Sequence, residues 1–290
     1  MVAVADEALE LDAAYASCAR AARAHYENFP VASFLVPARI RRDIAAVYAF
    51  ARTADDFADE GELAVDVRHR LLDGWLERLR LAVIFNEPGP PARPGEPADT
   101  AAIFLALGDS VKRHALPVDL FEQLISAFRQ DVTTAAYETW DELFDYCRRS
   151  ANPVGRLVLR IAGHRNPEFD AWSDSFCTAL QLTNFWQDLA IDKQRGRRYL
   201  PGEERRAHVS EREAIAAAVT RTRALFKAGR PLCDAVGGRL RYELRATWLG
   251  GSRILSRIER SGFDVEHQRP VLGAADLPWI LARLAVWRML

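Results

Sequence analysis

The sequence predicts an all-α fold, and three observations carry that expectation. Helix-favouring residues dominate while alternating β-branched runs are scarce. Apolar residues return at three-and-four spacing in segment after segment, and glycine or proline clusters stand between the segments. With 290 residues, 49% of them hydrophobic, the chain can bury a sizeable core, and it reads as a single domain over 1–290.

The elements follow in order. The opening stretch "MVAVADEALELDAAYASCARAARAHYENFP" has early acids where a secretory signal carries positive charge, so no export is expected. "RRDIAAVYAFARTADDFADEG" places Ile44, Val47, Tyr48, Ala51 and Ala54 on one helical stripe, and Gly61 supplies a stop. After "VRHRLLDGWLERLRLAVIF" comes "NEPGPPARPGEPADT", residues 86–100, whose five prolines and two glycines predict an exposed surface loop inside the bundle. "PVDLFEQLISAFRQDVT" and "TWDELFDYCRRSANPVGRLVLRIAG" are again helical, the second opening on a Thr139/Glu142 capping box. "EFDAWSDSFCTALQLTNFWQDLAIDKQRG" reads as one helix from about Glu168 to Arg195. "SEREAIAAAVTRTRALFKAG" and "RYELRATWLGGSRILSRIERSG" follow. The final "LPWILARLAVWRML" reads as a packed terminal helix through Trp279, Ile280, Leu284 and Trp287 rather than a membrane-surface anchor.

Charge and cysteine usage narrow the class. Lysine and arginine total 39 against 40 acids, a formal charge of −1 without long blocks of one sign, so no nucleic-acid partner is expected. Cys18, Cys147, Cys177 and Cys233 lie far apart without CxxC spacing and read as packing thiols of a cytoplasmic protein. No stretch approaches the roughly 18 uninterrupted apolar residues of a membrane span.

Aspartates four residues apart share one helix face and can offer two carboxylates to one cation. The pattern occurs four times, at Asp55/Asp59, Asp141/Asp145, Asp170/Asp174 and Asp188/Asp192. Asp141 and Asp170 sit at apparent helix starts, where negative charge suits the dipole and needs no ligand. Asp55, Asp56, Asp59 and Glu60 instead crowd a helix C-terminus, where negative potential already accumulates and something positive is owed. Asp188 and Asp192 extend a polar line through Asn184 and Gln181 along a helix otherwise flanked by Leu180, Leu182, Phe185 and Trp186. Two such stripes on different helices suggest Mg²⁺ bridging carboxylates to substrate phosphates. Arg52, Lys193, Arg197 and Arg198 stand beside them as cations for a diphosphate, with helix-end charge complement as the plainer alternative.

"YAFARTADDFADEG" and "NFWQDLAIDKQRGRRYLP" resemble the two aspartate-rich signatures of the squalene and phytoene synthase family, and the likeness runs from about His25 to Arg269. "ENFPVAS", "SANPVG", "LTNFWQD" and "WLGGSRIL" look most like its hydroxysqualene synthase subgroup, from the bacterial hopanoid route. The resemblance implies an isoprenoid-synthase helical bundle with a central cavity. It places Asp55, Asp59, Asn184, Asp188 and Asp192 as ligands of two or three Mg²⁺ ions. It puts Arg52, Gln181, Asn184, Arg197 and Tyr199 at diphosphate- and intermediate-binding positions, and Tyr146, Val154 and Gly155 along the substrate pocket. Tyr48, Asn28 and Phe29 join the substrate-binding set. Phe29, Phe50, Tyr146 and the "NFW" of 184–186 are candidates for an apolar wall, or for ordinary core.

The implied reaction takes presqualene diphosphate and water to hydroxysqualene and diphosphate. Asp55, Asp59, Asp188 and Asp192 serve the ionisation. Tyr199 is one candidate to activate the water, and His25, Tyr26, Glu27 and Asn28 are others. No nicotinamide fingerprint is present, and NAD(P)H is not expected. A sister presqualene diphosphate synthase, a flavin-dependent dehydroxylase and peripheral contact with the inner membrane are the partners the resemblance suggests. "HYENFP" departs from the hydroxyl-bearing opening of members that condense two prenyl diphosphates, and Gly251 stands where a tyrosine often stands. Presqualene diphosphate or phytoene synthesis is therefore the second reading; a head-to-tail prenyltransferase through "DDFAD", or a terpene cyclase through the four-and-four spacing of Asn184, Asp188 and Asp192, is a third; and a catalytically silent partner of a sister synthase is a fourth.

Overall fold

A computed structural model of the chain describes residues 2–24, 36–59, 61, 63–85 and 90–287. The regular elements among the described residues are all helices, with no strand and one isolated bridge between Ala136 and Arg198. The chain divides into two compact units, the first built on Pro37–Thr133 and Arg156–Arg165 together with the N-terminal helix, the second on Thr134–Gly155 and Asn166–Leu290.

The first unit contains α1 (Val2–Ala24), α2 (Ala38–Asp59), α3 (Val65–Phe85), α4 (Thr100–His114) and α5 (Val118–Asp131). The buried line of α2 runs through Asp43, Val47, Phe50, Ala54 and Phe57, rotated slightly from the expected stripe, so Ile44, Tyr48 and Ala51 are only half-buried. Phe50 is core. Trp75 stacks on it at 6.0 Å, Phe104 and Phe121 meet it edge-on at 6.1 and 5.4 Å, and the Trp75 indole N–H donates to the Phe50 carbonyl at 3.1 Å. These edge and stacked contacts add to area burial, which is why a single aromatic can organise four helices.

Asp43 and Arg78 are buried in this unit, and both are paired, as burial requires. Asp43 has no exposed surface and accepts from Ser110 at 2.9 Å and from Arg113 at 2.5 Å. Arg78 donates to both oxygens of Glu96, at 2.9 and 2.7 Å, and to the carbonyls of Pro90 and Pro91 at 2.8 Å each. The proline-rich segment is thus exposed at residues 90–95, as its composition predicts, yet moored through Glu96 to α3.

The second unit contains α6 (Trp140–Ser150), α8 (Pro167–Gln187), α9 (Leu189–Gln194), α10 (Gly202–Ala207), α11 (Glu211–Gly229), α12 (Leu232–Ala235), α13 (Gly238–Arg260) and α14 (Asp276–Ala285), while α7 (Asn152–Ile161) has residues in each unit. The capping box forms as read: the Thr139 hydroxyl accepts from Glu142 N–H at 3.2 Å and Glu142 reaches back to the Thr139 N–H at 3.3 Å. Asn166 caps α8 by accepting from the Glu168 N–H, and Asp170 lies in the first turn, where negative charge suits the helix dipole. The α6 helix stops just before Pro153, which has no N–H to continue a preceding helix but fits the first turn of α7.

Close backbone contact locks α8 to α11. A Cβ on Gly229 would stand 2.7 to 2.9 Å from the Phe176 Cβ, N and Cα, so only glycine fits. Gly251 likewise faces the Phe226 ring at 2.5 Å from where its Cβ would be, so the absence of a tyrosine there has a steric cause. The terminal helix packs in part. Asp276 is buried between Arg253 and Arg257, Ile280 is buried, and Trp287 donates to Asp234 at 2.8 Å and meets Trp248 edge-on. Leu277 and Leu281 are 44% and 55% exposed. None of the described helices is long and apolar enough to cross a membrane. The four thiols are unbonded, and burial pushes each up, Cys177 to about 11 and the others to about 12, as fits packing rather than reactivity.

Candidate active site

The first acidic cluster lies on the last two turns of α2. Arg52 answers part of its charge: one Nη donates to Asp55 at 3.1 Å and the other pairs with Asp56 at 2.6 Å. The three side chains are about one third exposed, so these pairs are screened and readily exchanged for a ligand. Tyr48, one turn earlier, has its hydroxyl pushed up, first by burial and then by Asp56 and Asp55, against the opposing effect of Arg52. Asp59 is exposed at the helix end, four residues beyond Asp55. Glu60 lies outside the described residues, as do His25, Tyr26, Glu27, Asn28 and Phe29.

The rest of the positive charge owed to this end comes from Arg68 on α3. Its guanidinium donates to the carbonyls of Phe57 at 3.1 Å, Ala58 at 2.7 Å, Gly61 at 2.7 Å and Leu63 at 3.1 Å. One side chain thereby satisfies the orphan carbonyls and the negative dipole end that the aspartates would otherwise aggravate. Sequence reasoning missed it, since a cap supplied from the next helix has no spacing signature. Arg68→Met is expected to lower the unfolding free energy by about 1–2 kcal/mol in urea denaturation; an unchanged midpoint would show the cap to be dispensable.

The second cluster departs from expectation in one respect. The helix read as continuous from about Glu168 to Arg195 breaks at Asp188, which joins α8 to α9 with φ −101° and ψ 10°. Helical hydrogen bonds nevertheless bracket the break, from Asp188 N–H to the Asn184 carbonyl and from Asp192 N–H to the Asp188 carbonyl, both 2.9 Å. Asn184, Asp188 and Asp192 therefore remain one turn apart. Asn184 is exposed, and Gln181, Asp188 and Asp192 are half-buried. Asp188 accepts from Arg269 Nε at 2.6 Å, a partner that 81 residues of separation hid from the sequence.

A Schellman-type stop ends α9: Gly196, at φ +77°, lets Gly196 N–H reach the Lys193 carbonyl and Arg197 N–H reach the Asp192 carbonyl at 2.7 Å. Beyond it, Arg198, Gly202 and Glu203 donate their N–H groups to the carbonyls of Ala135, Tyr137 and Glu138, pinning "RYLPGE" alongside 135–138. That strip lays Tyr199 flat on Phe185, with ring centroids 3.7 Å apart and planes within 4°, and brings it against Tyr137 and Tyr146. Tyr146 is buried, Val154 is exposed, and Gly155 sits against Ser173 and Cys177 with no room for a side chain. Trp186 is fully buried and donates to Thr222, so of the "NFW" residues it is core.

A cavity of about 330 Å³ opens beside this turn. Phe185, Leu189 and Tyr199 form its apolar side, and Asp192, Arg197 and Arg198 are among its polar walls. Lys193 also lines it but is spent on Glu211 and Glu266 at 2.6 Å each; burial alone would push its ammonium down, and the two carboxylates outweigh that and raise it. Among the described residues no group of three or more acidic, histidine or cysteine side chains is placed to hold a metal by itself. Each unit offers instead two aspartates a turn apart, a hard-oxygen set that suits Mg²⁺, which keeps several waters and completes its shell with phosphate.

Fold and paired aspartates define a class first: an all-α isoprenoid-synthase fold carrying carboxylates one helical turn apart. The squalene/phytoene synthase family model matches residues 22–276, and the chain belongs to that family. It is 37% identical over 193 residues to the hydroxysqualene synthase of Sinorhizobium fredii, covering 66% of this chain and 61% of that protein. It is 36% identical over 219 residues to the one of Zymomonas mobilis, covering 69% and 68%. A phytoene synthase of Mycobacterium tuberculosis matches at 31% identity over 195 residues, 67% of this chain and 60% of that one. The matched stretch is thus under two thirds of the length of some of these relatives. The solved squalene synthase HpnC of Alicyclobacillus acidocaldarius shares 39% identity with a TM-score of 0.76 over 88% of this chain and 96% of its own. A ligand-bound dehydrosqualene synthase, 18% identical, shares the fold with a TM-score of 0.81 over 98% of this chain and 99% of its own.

Proposed function

We propose that the chain converts presqualene diphosphate and water into hydroxysqualene and diphosphate. The observation that carries this reading is the cavity beside Asp192, where arginines suited to phosphate oxygens stand next to the stacked Phe185–Tyr199 pair. Its resemblance to proteins named hydroxysqualene synthase, at 36–39% identity, supports the choice of substrate.

Asp55 and Asp59 of the first unit, and Asn184, Asp188 and Asp192 of the second, would hold two or three Mg²⁺ ions. Bound there, the metal would supply Lewis-acid stabilisation of charge on the departing diphosphate oxygens. Arg52 and Arg197 bind that diphosphate, Arg52 by giving up its contacts with Asp55 and Asp56. Tyr48, Gln181, Asn28 and Phe29 complete the substrate-binding set, with Tyr146, Val154 and Gly155 along the hydrocarbon. As the C–O bond to diphosphate breaks, the leaving group keeps the electron pair and the C30 chain is left electron-deficient. The Phe185–Tyr199 wall holds that chain away from stray water. One admitted water forms the new C–O bond and gives its proton to a base, for which Tyr199 is the described candidate. Atoms and electrons balance without hydride, so the reaction calls for no NAD(P)H.

Cytoplasmic placement with peripheral membrane contact belongs to the same reading, supported by the exposed Leu277 and Leu281 of α14. So does service between a sister presqualene diphosphate synthase and a flavin-dependent dehydroxylase. The similarity to phytoene synthases favours condensation of two prenyl diphosphates as the second reading. One assay separates them: the protein with Mg²⁺ is given farnesyl diphosphate alone, then presqualene diphosphate, and the extracts are weighed by mass spectrometry. Hydroxysqualene from the second substrate alone is expected. Presqualene diphosphate or another condensation product from the first would reassign the enzyme, and silence in both would favour a non-catalytic partner.

A further inference from the structure

We infer that Arg205, on the short helix α10, is a further ligand for the diphosphate group in the cavity of the second unit. The other charged residues of α10 are committed to the protein. Glu203 accepts from the Trp140 backbone N–H at 2.6 Å, Glu204 accepts from the Trp140 indole at 2.5 Å and meets His208 at 2.8 Å, and Arg206 pairs with Glu138. Arg205 lines the cavity instead. Its Nε is buried without an acceptor, and its side chain makes no hydrogen bond or ion pair with any described residue.

A buried guanidinium donor left unmatched is costly, and folded proteins seldom leave one without a purpose. The surroundings say what the missing acceptor is. The cavity is lined by Lys193, Arg197, Arg198 and Arg205 against only Asp192 and Glu211, and Glu211 is already spent on Lys193. A surplus of guanidinium charge around one carboxylate suits an anion with several oxygens. The Nε–Nη edge of an arginine matches two oxygens of one phosphoryl group. Arg205 lies outside the paired-aspartate signatures and the "GRRY" turn, so nothing in the spacing of the motifs marks it.

The inference rests on the reading of this cavity as the diphosphate site, and inorganic diphosphate is the probe that tests it apart from turnover. Calorimetric titration with and without Mg²⁺ compares the wild type with Arg205→Leu and Arg205→Lys. The leucine variant is expected to bind diphosphate about ten- to a hundredfold more weakly, and the lysine variant, which keeps the charge but loses the fork, to recover part of that. Ligand-free Arg205→Leu should melt at or above the wild-type temperature, since it removes an unmatched donor. A melting point that falls while diphosphate affinity stays unchanged would make Arg205 structural and overturn the inference, as would a wild type that binds no diphosphate. If the wild type transforms no presqualene diphosphate yet Arg205→Leu still weakens diphosphate binding, the proposed reaction falls and this assignment stands. If turnover is normal and affinity is indifferent to the substitution, the reverse holds.

Discussion

Asp188→Asn is expected to lower turnover of presqualene diphosphate by roughly 10³-fold, and Asp55→Asn by a similar factor, with helical content unchanged. The magnitude follows from the work these carboxylates are assigned. Loss of one preorganised charge-stabilising group commonly costs about 10²–10³ in rate, and each factor of ten is 1.36 kcal/mol of barrier. Asparagine keeps the shape and one acceptor oxygen but forfeits the negative charge that holds a hydrated divalent ion. Stability should barely move. Asp188 is paired with Arg269 and Asp55 with Arg52, all of them between about one third and one half exposed, and such pairs contribute about 0–1 kcal/mol. Single-turnover rates beside circular dichroism make the separation, and near-normal turnover by both variants would remove the aspartates from the mechanism.

The second large effect concerns stability. Glu243 of α13 is buried, its Oε2 has no hydrogen-bond partner, and burial pushes its carboxyl up from 4.5 to about 8. A carboxyl raised in this way is protonated in the native state and ionised in the unfolded chain between those values. Below pH 4.5 both states hold the proton and nothing is lost. As pH rises from there towards 8, the unfolded chain gains an ionisation the folded one resists, and stability falls. At 1.36 kcal/mol per pH unit that interval is worth on the order of 5 kcal/mol at most. Glu243→Gln removes the titration and leaves a polar group of the same shape. The variant's stability relative to wild type should therefore rise by several kcal/mol between pH 5 and pH 9 in urea titrations, whatever offset the buried amide adds at both ends. A constant difference across that range would show Glu243 to be ionised or solvated in the folded protein.

Local physics was legible and remote physics was not. The helices, the Thr139 capping box and the Gly196 stop depend on neighbours three to five residues apart, so a spacing rule finds them. The break at Asp188 has no proline or glycine to announce it, and its Arg269 partner comes from the far end of the unit. Arg68 caps a helix it does not belong to, and Arg205 is recognised by what its neighbours have already been given. Glu243 could have been found: Leu240, Ala246 and Gly250 share its face at three-and-four spacing, which places an acid on a buried stripe. The candidate site was legible as residue types, since paired aspartates and nearby arginines are carried by short motifs. The cavity was not, because it depends on how "RYLPGE" is pinned to 135–138, a pairing with no signature in either stretch.

The contact between Gly229 and Phe176 acts as a rivet through the helix that later carries Asn184 and Asp188. Each added residue turns a helix by about 100°, so a single insertion between positions 176 and 184 would swing those polar groups to a different side while the rivet held. Length variation along this lineage should accordingly collect in segments such as the moored proline-rich strap and shun the stretch from 177 to 183, whatever hydrocarbon the pocket comes to accept.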